Sequence, residues 1–103
     1  MEENKKQFLI SVLIPLVGLK TIDQTIKSVL RQKSAKCEVL ILRNGIQNLP
    51  QGTNVKERDH FYPGTQRVIR ELFIREKEKG YALNEGTCRA KNDLICVLVQ
   101  ILS

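Results

Sequence analysis

A chain of 103 residues holds one domain with a modest core, and an apolar share of 42% with 27% charged residues is the composition of an ordinary soluble protein. Lys and Arg outnumber Asp and Glu by 17 to 11, and the net charge of +6 favours anionic partners; the cations are scattered, so nucleic acid stays open as a partner but is not favoured. The longest apolar stretch, residues 94–102 interrupted by Gln100, is about half the length of a membrane span, and none is expected.

The cysteines and the N-terminus point to a cytoplasmic chain. Cys37, Cys88 and Cys96 are an odd number without a C-x-x-C pair, which argues against a disulfide framework or a zinc site. The opening MEENKKQF is charged and leads into a short apolar run, unlike a signal peptide.

In chain order, residues 8–16 (FLISVLIPL) read as a strand buried on both faces. Thr21 and Gln24 then form a T-x-x-Q capping box, and Ile22, Ile26, Val29 and Leu30 follow at helical spacing, so a helix is expected over residues 21–32. Residues 37–42 (CEVLIL) read as a second buried strand, completing a βαβ unit.

Residues 43–64 carry turn signals at Asn44-Gly45, Leu49-Pro50, Gln51-Gly52 and Pro63-Gly64. So long a structureless stretch implies a further element, for which residues 55–61 offer a short helix. Within it, His60 beside Asp59 reads as a loop residue with no partner at catalytic spacing. The neighbouring Phe61 and Tyr62 offer either a base-stacking pair or, more commonly, two loop anchors.

Between residues 68 and 78 the templates conflict. Val68, Ile69, Leu72 and Phe73 suit a helix, whereas Leu72, Ile74 and Arg75 suggest a strand. A helix is expected over residues 80–91, with Ala82, Gly86 and Ala90 on the packed face. Residues 93–102 read as a third buried strand, with Cys96 an inert core thiol and Cys88 an exposed one.

Three landmarks in this order resemble the nucleotide-binding front half of family 2 glycosyltransferases. The first is Ser11-Val12-Leu13-Ile14-Pro15 with the helix ending Thr25-Ile26-Lys27-Ser28-Val29-Leu30-Arg31-Gln32. The second is residues 38–42 leading into Arg43-Asn44-Gly45-Ile46, in place of the family's D-D-G-S turn. The third is Asn84-Glu85-Gly86 followed by Ala90-Lys91-Asn92-Asp93-Leu94-Ile95-Cys96-Val97-Leu98. The resemblance implies a Rossmann-like (GT-A-like) α/β fold, a mostly parallel sheet with flanking helices, truncated, with residues 1–103 as a single half domain. It also places a strand near residues 71–75.

By the same resemblance, a nucleotide or nucleotide sugar would lie against Pro15, Val17, Gly18, Arg43, Asn44, Gly45 and Asn84. The chain departs from the family at the chemistry. Arg43, a donor only, stands where an acidic acceptor meets the nucleobase, and Leu83 stands where the family has Arg. Val99 and Ile101 occupy the carboxylate positions of the D-x-D motif that holds Mg or Mn, so no metal cofactor and no catalytic residue is expected.

Weak nucleotide binding without catalysis is therefore the first expectation. The alternative is a non-enzymatic module that docks a partner protein or nucleic acid through its basic surface. An uncovered final strand also suggests a homo-oligomer.

Overall fold

The structure, a computed structural model, describes residues 10–17, 37–61 and 68–98. The two aliphatic runs form strands β1 (Ile10–Val17) and β2 (Cys37–Asn44). They pair in parallel, from Ile10 opposite Cys37 to Val17 opposite Asn44. Side chains alternate between the faces of a strand, so this register stacks Val12 and Ile14 with Val39 and Ile41 on one face. Leu13 and Leu40 stack on the other, and burial on both faces explains why the sequence runs continuously apolar.

Three more strands complete a five-stranded sheet. Strand β4 (Val68–Ile74) runs parallel to β2, β5 (Ile95–Val97) runs parallel to β1, and β3 (Val55–Phe61) runs antiparallel to β4. The spatial order is β3-β4-β2-β1-β5, a small α/β domain with a mixed sheet.

Helix α1 (Lys79–Arg89) joins β4 to β5 and lies on the face of Leu13, Leu40, Leu42, Leu72 and Ile74. It buries Ala82 and Gly86, one turn apart, as the small-residue spacing predicts. A Cβ built on Gly86 would stand 3.0 Å from Leu42 Cδ2 and 3.3 Å from Leu13 Cδ1, so a missing side chain sets how closely the helix approaches. Ala90 lies beyond the last turn, as the extended C-cap.

Pro15 sits inside a strand with neighbours on both sides, a position that proline usually avoids. Ser11 N–H donates to Leu94 O and Leu98 N–H to Leu13 O, so the odd-numbered residues of β1 bond toward β5. Pairing with β5 stops at Leu13 opposite Val97, and the nitrogen without a proton falls past it.

Several expectations are corrected. Residues 55–61 form a strand rather than a short helix, and it makes the sheet mixed instead of wholly parallel. Its sequence, VKERDHF, lacks apolar alternation because β3 is an outer strand whose charged side chains pair with those of β4. His60 consequently lies on a strand, half-buried, and not in a loop.

The conflict over residues 68–78 resolves as strand, beginning at Val68 and ending at Ile74, with Arg75 just beyond. The last strand is a three-residue edge element; Leu94 is 61% and Val97 45% exposed, and Cys96 is exposed instead of buried. Cys88 is exposed on α1 as expected. The helix expected over residues 21–32 and the residues 99–103 lie outside the described residues, and no helix among those described is long and apolar enough to cross a membrane.

Candidate functional site at the carboxyl edge of the sheet

Two polar clusters occupy opposite ends of the parallel strands. At the amino end Glu38, only 5% exposed, is surrounded by donors. Its Oε1 accepts from Ser11 Oγ at 2.6 Å and from the Lys91 backbone N–H at 3.0 Å, and its Oε2 accepts from Arg70 Nη1 at 2.8 Å. Arg70 also donates to the Arg89 carbonyl at 2.9 Å, satisfying an acceptor that the last turn of α1 leaves without an intrahelical partner.

The outer side of Arg70 pairs with Glu57, which also accepts from Arg89 Nη1 at 3.3 Å. Hydrogen bonding from Arg70 holds the Glu57 carboxyl below its ordinary value, with the charges of Arg70 and Arg89 adding to the effect against some desolvation. Burial opposes the Arg70 charge, yet its bonds to Glu57 and Glu38 outweigh that and raise its pKa. Every charge in this cluster has a partner inside it, and its product is the attachment of α1 and the start of β5 to the sheet.

At the carboxyl end the side chains grip backbone. Asn44, the last residue of β2 and 3% exposed, donates through Nδ2 to the carbonyls of Glu76 at 3.2 Å and Glu78 at 3.0 Å. Gly45 follows at φ +72°, in the left-handed region that glycine enters without strain, and its N–H donates to Glu76 O at 3.2 Å.

Arg75 draws the β2–β3 loop around its guanidinium. Nε and Nη2 donate to Thr53 O at 3.1 and 3.0 Å, Nη1 to Gln47 O at 3.2 Å, and Nη2 also to Leu49 O at 3.1 Å and Pro50 O at 3.0 Å. The loop tip is a type II turn, with Thr53 N–H donating to Pro50 O at 2.9 Å and Gly52 at φ +83°.

Between this loop and the β4–α1 connection lies a cleft of about 430 Å³ lined by Gln47, Asn54, Arg75, Glu76, Lys77 and Tyr81. Tyr81 packs one side against the core cluster beneath α1. The side chains of Gln47, Asn54 and Lys77 form no hydrogen bond or ion pair among the described residues.

The residues named by resemblance divide. Register brings Pro15, Val17, Arg43, Asn44 and Gly45 to the same edge, since Pro15 lies opposite Leu42 and Val17 opposite Asn44. Arg43 turns to the face away from α1, where its Nε donates to Glu71 Oε2 at 3.0 Å; Arg58 Nη2 reaches Glu71 Oε1 at 3.3 Å and stacks on Phe73. Asn84 is exposed on α1, about half a turn round from buried Ala82 and Gly86, and faces away from the sheet. Gly18 lies outside the described residues. Leu83 packs against the core, and the glycine of Asn84-Glu85-Gly86 serves helix packing.

Sequence reasoning did not assemble Gln47, Asn54, Arg75, Glu76, Lys77 and Tyr81. The signals present were the turn residues at 44–45 and 51–52 and the cations Arg75 and Lys77. They meet only because β4 carries Arg75 to the loop that leaves its neighbour β2.

Among the described residues, no group of His, Cys, Asp or Glu side chains is arranged to hold a metal ion. The hydrocarbon side chains at Val99 and Ile101 also do not fit the magnesium or manganese that the resemblance implies.

The fold thus defines a small α/β domain with ligand-sized space at the carboxyl edge of its parallel strands. Compared with known families, curated proteins and solved structures, the chain shows no match.

Proposed function

We propose that this chain is a glycosyltransferase-like, nucleotide-binding domain that takes a nucleotide or nucleotide sugar weakly and does not transfer sugar by itself. The observation that carries this reading is the strand order. Without the antiparallel β3, the parallel strands stand in space as third, second, first and fourth in chain order, the Rossmann-like sequence. In open sheets of that order ligands bind outside the carboxyl ends of the strands, in the crevice where the order reverses, here between β1 and β5; the cleft lies on the same edge, over the ends of β2 and β4.

The proposal of no transfer rests on Arg43, a cation paired with Glu71 where an acceptor would be needed, and on Val99 and Ile101 at the metal positions. The exposed free thiols of Cys88 and Cys96 support a reducing, cytoplasmic setting.

Calorimetric titration with uridine and guanosine diphosphate sugars, beside a transfer assay in magnesium or manganese, tests the reading. Saturable binding without turnover is expected. Turnover that a chelator abolishes would contradict the inactive half of the proposal, and absence of binding to every nucleotide would contradict the whole.

A second reading, self-association, is favoured by Leu94 and Val97, both exposed beside the edge strand β5. Sedimentation at micromolar concentration should give a dimer, and replacing both residues by charged ones should give a monomer. A monomeric unmodified chain contradicts it.

A further inference from the structure

We infer that the cleft between the β2–β3 loop and the start of α1 is the place where the nucleotide binds, and that it takes a nucleoside 5′-monophosphate unit held by Tyr81 and Lys77. This rests on the nucleotide-binding reading and adds to it a location and residues that the family resemblance does not supply. The volume of about 430 Å³ lies in the range of small-molecule sites, roughly 300–1,000 Å³, but a groove at the amino end is equally large, so the lining and not the size selects this cleft.

The lining matches the parts of such a ligand. Tyr81 is fixed from behind by the core cluster and offers a ring on which a base can stack. Gln47 and Asn54 each carry a carboxamide, donor and acceptor together, without a protein partner among the described residues, as the edge of a base requires. Glu76 can accept from the ribose hydroxyls. Lys77 is an exposed ammonium with no carboxylate partner among the described residues, available to a phosphate.

Arg75 is a positioning residue. Its donors are directed at the carbonyls of Gln47, Leu49, Pro50 and Thr53, so it shapes the wall that carries Gln47 and Asn54. That second groove, at the amino end, is lined by Glu57, Arg58, Asp59, Arg70 and Lys91; Glu57, Arg58 and Arg70 are paired there, whereas the side chains of Asp59 and Lys91 have no partner among the described residues. It offers no aromatic platform and serves as the control surface.

The test is calorimetry on the full chain with uridine 5′-monophosphate, adenosine 5′-monophosphate, uridine and inorganic phosphate, each in chelator. At least one monophosphate should bind more tightly than uridine or phosphate. Lys77→Gln should weaken the monophosphate by about tenfold and leave uridine unchanged. Tyr81→Leu, which keeps apolar packing, should weaken both by a similar factor, Tyr81→Phe should not, and Lys91→Gln at the control surface should have no effect.

Nucleotide binding unaltered by Lys77→Gln and Tyr81→Leu would overturn the cleft assignment while leaving the nucleotide-binding domain standing. No binding of any nucleotide or nucleotide sugar would remove both. Phosphate binding as tightly as the nucleotides would overturn the role of Tyr81.

Discussion

The two ends of this sheet use arginine in opposite ways. At the amino end Arg70 meets carboxylates, Glu38 and Glu57, and the charges neutralise one another in a network that is buried at Glu38 and open to solvent at Glu57. At the carboxyl end Arg75 meets carbonyls of a loop, and its charge orders backbone. The first arrangement pairs Glu38, Glu57, Arg70 and Arg89 and fixes α1. The second creates a walled cleft in which the side chains of Gln47, Asn54 and Lys77 have no partner among the described residues. What separates the two ends is what the central arginine holds: carboxylates at one, loop carbonyls at the other.

The largest effect should come from breaking the amino-end network. Arg70→Leu strands Glu38 as a buried carboxylate, and removing one partner of a buried pair costs about 3–5 kcal/mol. That is a large part of a typical net stability of about 5–15 kcal/mol. Urea denaturation should show a collapsed midpoint or an unfolded chain. Adding Glu38→Leu to Arg70→Leu should restore part of the loss, because no charge then remains buried alone.

Next in size is the helix that the network anchors. Gly86→Val places methyl groups where even a Cβ would stand 3.0 Å from Leu42, and such overpacking costs about 1–3 kcal/mol. Thermal unfolding should register the loss. An unchanged midpoint would mean that α1 does not sit so close.

Arg75→Ala should cost less, about 1.5 kcal/mol, since the carbonyls it releases lie beside solvent and can turn to water. Its signature is local. Amide exchange should accelerate through residues 46–54, while the amides of β1 and β2 keep their protection.

The smallest effect is on pH dependence. Glu57 has a folded-state pKa below its ordinary value of 4.5, so it adds stability that is present above that value and lost as pH falls through the lower folded one. Glu57→Gln should be less stable than the unmodified chain at neutral pH, with the difference shrinking as pH falls below the ordinary carboxylate range. A difference that is constant with pH would show that the Arg70–Glu57 pair contributes nothing through charge.

Much of the scaffold was legible because burial on both faces writes itself as uninterrupted Ile, Val and Leu. Residues 8–16 and 37–42 pointed to β1 and β2 for that reason, and Ala82 with Gly86 marked the packed face of α1. Strand β3 was hidden because an edge strand is held by ladder bonds and ion pairs that leave no apolar period in VKERDHF. The run from 94 onward misled for the opposite reason: Leu94 and Val97 are apolar yet exposed.

The candidate site was legible only as separate marks. Asn44-Gly45 and Gln51-Gly52 signalled turns, but Arg75 reaches that loop across strands 28 residues apart in sequence from Gln47, a distance no local pattern encodes. Arg43 and Asn44 were singled out by resemblance, and the structure turns both side chains to protein partners, Glu71 and the carbonyls of Glu76 and Glu78.

The difference between the two ends is tested most directly by titrating ¹⁵N-labelled protein with a nucleoside 5′-monophosphate and following every amide by NMR. The account predicts saturable shifts confined to Gln47, Asn54 and the segment from Glu76 to Tyr81, with Glu57, Arg70 and Lys91 unmoved. Shifts centred on the amino-end residues, or a spectrum that no nucleotide perturbs, would contradict it.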